Sequence, residues 1–113
     1  MAELAAPTLE DLRDAPEAAW LWDGARARIV WANAPGLAFF GADSLFDLLD
    51  RPFDLAEPGV ARIAGLARSL RRGEMERALL HFPSAGADVP MACRCMVHAL
   101  ADGDRLAAAL LRY

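Results

Sequence analysis

Residues 28–41, RIVWANAPGLAFFG, decide how the chain folds. Arg28-Ile29-Val30-Trp31-Ala32 is a short run of branched and aromatic side chains, the composition of a strand. Asn33, Pro35 and Gly41 then punctuate it. The oxygen of an Asn side chain can accept from the free N–H groups of a helix's first turn. Pro is tolerated there, and Gly supplies a left-handed stop. A strand that turns directly into a short helix is therefore expected.

Working outward, residues 18–23 (AAWLWD) form a second strand-like run, separated from the first by Gly24-Ala25-Arg26-Ala27. That spacing predicts a hairpin with a four-residue loop. Upstream, Thr8 stands three residues ahead of Asp11, a capping pair that opens a short helix carrying Leu9 and Leu12, and Pro16 ends it. Downstream, Ser44-Leu45-Phe46-Asp47 is another capping box, with Leu45, Leu48 and Leu49 on one face until Arg51-Pro52. Pro58-Gly59 introduces the longest helix. Val60, Ile63, Ala64, Ala67 and Leu70 recur at helical spacing, Arg62, Ser69 and Arg72 fall opposite, and Gly73 is expected to close it.

Strands at 75–82, 89–99 and 106–113 finish the chain, joined by turns at Ser84-Ala85-Gly86-Ala87-Asp88 and Ala101-Asp102-Gly103-Asp104. From Val89 to Ala99 the odd positions are apolar or sulfur-bearing while the even ones include Arg94 and His98, the alternation of a half-buried strand. The fold class is α+β.

A chain of 113 residues has room for one core. With 56% hydrophobic and 25% charged residues it is globular, and a net charge of −4 argues against a nucleic-acid binder. All 12 basic residues are Arg, which, beside abundant Ala, is compositional bias. The acidic N-terminus MAELAAPTLEDL is not a secretory signal, and no apolar run approaches a membrane span. A cytoplasmic location is expected, and Cys93 and Cys95 are badly spaced for a disulfide along one strand.

Strand, strand, three helices and a terminal three-stranded meander resemble the PAS domain. The resemblance is carried by AWLWDGARARIVWAN, by Asn33 closing the second strand, by the helix ending in Gly41, by SLFDLLDRPF, and by the helix after Pro58-Gly59. It divides the chain into an N-terminal helical cap at 1–16 and a PAS-like domain at 17–113. One departure is Asp50, where the family often has Gly. The resemblance implies a five-stranded antiparallel sheet of order 2-1-5-4-3 with helices on one face. It also implies a non-enzymatic sensory and dimerisation module of a bacterial signalling protein, such as a sensor histidine kinase of a two-component system. The catalytic apparatus of such a kinase is not in the chain. An effector domain or partner signalling protein and a small-molecule ligand are the partners implied.

A ligand or cofactor of unknown identity would lie between the long helix and the sheet, near Phe39, Phe40, Leu66, Leu70, Leu80, Phe82, Met91 and Cys93. Asn33 and Gly41 are structural. Trp20, Trp22, Leu111 and Tyr113 are expected at a dimer surface, because both the first and last strands are apolar on both faces and the second face must be covered. The N-terminal helix and a second subunit are expected to cover it. No metal site is expected, since Cys93 and Cys95 share a face that His98 does not. The segment 51–72 has neither the His that haem-binding relatives take from this region nor the Cys of flavin photoadduct sensors. Asp43, Asp47, Asp50 and Asp54 form a solvated face.

Two other readings stand beside the sensor. A small α+β enzyme would need Glu76, His81 or His98 buried in an apolar cone. A ligand-free interaction module would need only a filled core.

Overall fold

The structure, a computed structural model, describes residues 9–82, 90–100 and 103–111. In chain order the elements are α1 (Leu9–Asp14), β1 (Ala19–Asp23), β2 (Arg28–Ala32), α2 (Ala34–Phe39), α3 (Leu45–Leu49), α4 (Pro58–Ser69), β3 (Met75–Leu80), β4 (Met91–Leu100) and β5 (Gly103–Leu110). The strands pair antiparallel in one sheet, β2-β1-β5-β4-β3. The first and last strands are thus neighbours inside the sheet, and the helices inserted between hairpin and meander pack across one face.

Local chemistry sets the element ends. Ser44 Oγ accepts from Asp47 N at 3.2 Å, and Asp47 Oδ2 accepts in return from Asp43 N at 3.1 Å, one residue ahead of the cap. Gly41 has φ of +64°, the expected left-handed stop. Asp50 sits at φ −84° and ψ −7°, so the glycine of the family pattern is not required there. The hairpin loop does hold four residues, but its left-handed position is Ala27, at φ +54°. α4 ends at Ser69, earlier than expected: Leu70 caps it in an extended conformation, and Gly73, at φ +83°, belongs to the turn before β3. β5 starts earlier than expected, at Gly103, and ends at Leu110. Thr8, Tyr113, the turn at 84–88 with Pro83 and Val89, and Ala101 and Asp102 lie outside the described residues.

The sheet separates two apolar layers. Toward the helices lie Trp20, Trp22, Ile29, Val60, Ile63, Leu66, Leu80, Cys95 and Leu106. On the outer face Leu12 of α1 packs with Ala19, Leu21, Ala107 and Ala109. β1 and β5 are therefore buried on both sides, as their unbroken apolar runs required.

Candidate functional site

Asn33 joins α1, β1 and α2. Its Oδ1 accepts from Gly36 N at 2.8 Å and from Ala19 N at 3.0 Å, while its Nδ2 donates to Leu12 O at 2.7 Å and Glu17 O at 2.9 Å. Both lone pairs and both donors are used, so this buried amide is fully satisfied. The close packing needs Gly36, because a Cβ there would lie 2.5 Å from Ala19 O. A Cβ at Gly59 would likewise run into His81 O, which accepts from Gly59 N. Sequence reasoning used Gly59 only as part of the Pro58-Gly59 helix start and did not single out Gly36, since close approach leaves no local signature.

The turn at Asn33 aims the end of α2 at the sheet. Trp20 stacks on Phe39 with centroids 5.7 Å apart, and meets Phe40 and Phe82 edge-on at 5.0 and 5.8 Å. Phe53 closes edge-on over Trp22 at 5.8 Å. Phe39, Phe40, Leu66, Leu70, Leu80, Phe82, Met91 and Cys93, all named from sequence, belong to this one cluster. Trp20 and Trp22, assigned from sequence to a dimer surface, belong to it too. They are 0% and 1% exposed, because the even positions of β1 face the helices, so neither is available to a second subunit.

Cys93 and Cys95 are buried free thiols on the helix-facing side. Burial, then the neighbouring Cys95, pushes Cys93 up to about 12. Burial lifts Cys95 to about 11, with Arg62 pulling it down and Glu76 pushing it up. Both stay protonated near neutrality, which leaves neither as a ready nucleophile. Among the described residues no three His, Cys, Asp or Glu side chains are grouped to hold a metal. Glu76 is half exposed and bonded to Arg62 Nη2 at 2.8 Å. His98 lies on the opposite face of β4, its Nε2 buried with no partner among the described residues. The structure does not bring these groups together. The acidic face is engaged locally, with Asp47 pairing Arg51 at 3.3 Å and Asp54 accepting from Ala56 N.

The outer face has an apolar surface that strict alternation hides. The β1–β2 pairing shifts register between Leu21 and Trp22, skipping Val30, and this bulge sends both Val30 and Trp31 to the outer layer. They flank Leu21 and Leu100 in a shallow groove of about 390 Å³ beside α1, rimmed by Glu10, Arg13 and Arg105. Leu111, half-buried, follows the end of β5, where its N–H donates to Ala92 O.

No family model and no curated protein sequence matches the chain. Among solved structures, the chain is similar to the PAS domain of an HTR-like protein from Haloarcula marismortui, at 16% identity and a TM-score of 0.63, over 88% of this chain and 84% of that one. It is also similar to a domain of a sensory box sensor histidine kinase/response regulator from Geobacter sulfurreducens, at 19% identity and a TM-score of 0.52, over 87% and 85% of the two chains. Sheet order, the Asn33 junction and these likenesses agree: the chain has the PAS fold.

Proposed function

We propose that the chain is a non-enzymatic sensory and dimerisation module of a bacterial cytoplasmic signalling protein of the sensor histidine kinase kind. The observation that carries this is the outer face of the sheet. Val30, Trp31 and Leu100 remain half-buried around Leu21, with Leu12 of α1 packed among them. An antiparallel sheet leaves such a face only where something else completes the burial, and a second copy supplies a matching one. The fold and the kinds of protein that contain its structural neighbours support the signalling context. No helix among the described residues is long and apolar enough to cross a membrane, and the free thiols of Cys93 and Cys95 suit a reducing compartment.

The aromatic filling around Trp20 favours a second reading, a module that binds a partner protein and holds no ligand in its core. Native mass spectrometry of protein purified without added cofactor tests both. A dimer carrying an extra mass that vanishes on denaturation supports the sensor. A bare dimer supports the interaction module, and monomer alone over the micromolar range contradicts the dimerisation that the first reading requires.

A further inference from the structure

At the hairpin end of the core, the loop at 24–27, the C-terminal half of α4 and the start of β5 enclose a cleft of about 540 Å³. One wall is apolar, formed by Trp22, Val97 and Leu106. The other is charged and mostly cationic, since Arg26, Arg68 and Arg105 line it against Asp23 and Asp104.

The two carboxylates are already committed. Asp23, buried, accepts from Ala25 N and Arg26 N at 3.0 and 3.4 Å. Asp104 is held by Arg72 Nε at 2.9 and 3.1 Å. Arg105 is a charged side chain only 8% exposed, with its Nη1 on Asp104 O at 2.9 Å and its Nη2 3.8 Å from Asp23 Oδ2, a long ion pair. Gly103, at φ +129°, lets that guanidinium fold back, because a Cβ there would lie 2.9 Å from Nη1. Arg68 points no donor at a partner among the described residues. The cleft thus offers an uncompensated guanidinium beside a hydrocarbon wall, the combination that binds an amphipathic anion.

We infer that this cleft binds a small monocarboxylate with an apolar body, its carboxylate on Arg68 and its body against Trp22, Val97 and Leu106. A single negative charge fits better than a phosphate dianion, because Asp23 and Asp104 stand in the same cleft and would repel the second charge. The site opens at the edge of the core cluster, whose Trp22, Val97 and Leu106 form its wall, and does not rest on the outer-face reading.

Benzoate is the probe, with benzamide as its neutral isostere at the same ionic strength. Titrated into 15N-labelled protein, benzoate is expected to give saturable shifts at the amides of Gly24, Ala25, Arg26 and Asp104, with benzamide giving none. Arg68→Gln, at an exposed helix position, is expected to weaken benzoate about tenfold, the loss of one charge-assisted hydrogen bond, without altering the rest of the spectrum. Shifts that never saturate, equal shifts from benzamide, or unchanged affinity in Arg68→Gln would overturn the site. The sensory reading would survive that result, because it stands on oligomeric state.

Discussion

Asn33 Nδ2 lies 2.7 Å from the backbone oxygen of Leu12, a residue 21 positions earlier, so one side chain fastens α1 to the strand-to-helix turn. The same amide holds Ala19 and Gly36 through its oxygen. Asn33→Ala strands buried donors and acceptors at four backbone sites, and is expected to cost about 2–4 kcal/mol in urea unfolding. Asn33→Asp should also destabilise, since a carboxylate would face the oxygens of Leu12 and Glu17 in place of a donor. A cost below about 0.5 kcal/mol for Asn33→Ala would show that the junction is not holding the fold.

Two glycines in helices should respond oppositely to the same change. Gly36→Ala places a methyl against Ala19 O and should destabilise by about 2 kcal/mol or more, despite alanine's better helix propensity. Gly65→Ala, in the middle of α4 with open space around its Cβ, should stabilise by up to about 1 kcal/mol. Thermal unfolding of the pair checks the sign of each.

The thiols of Cys93 and Cys95, pushed up to about 12 and about 11, should not react with a disulfide reagent at pH 8 in the native protein. Unfolding should release two equivalents, one per cysteine in the chain. Rapid native reaction of either would contradict their burial on the helix-facing side.

Burial lowers the pKa of His98 below its ordinary 6.5. The unfolded chain then takes up a proton before the folded one does, so stability should fall as pH drops from about 6.5 toward the lower folded value, and be unaffected by this group above about 7.5. Arg105 is the cross-strand partner of His98 on the outer face. His98→Asn should remove that part of the slope between pH 5 and 7, as urea midpoints across the range would show.

Much of this architecture is legible in the residues themselves. The Asn33 cap on Gly36, Gly41 and the Ser44–Asp47 box are local devices whose chemistry works within four residues, and they stand where the sequence puts them. The alternation of β4 similarly places Cys93, Cys95 and Val97 on the core side. What local pattern misses is long-range. The bulge at Val30 depends on how β2 meets β1, and it moves Trp31 to the opposite face from Ile29. The two faces of β1 look equally apolar in sequence, so only the helices' placement shows that Trp20 and Trp22 are core. The cleft at the hairpin end combines residues from β1, α4 and β5, with no shared motif to announce it.

Sedimentation equilibrium of the wild type beside Trp31→Glu tests most directly whether the outer face of the sheet is the face through which the module acts. The expected result is a wild-type dimer at micromolar concentration and a folded monomer for Trp31→Glu. A wild type that stays monomeric, or a Trp31→Glu variant that dimerises as tightly as the wild type, would contradict it.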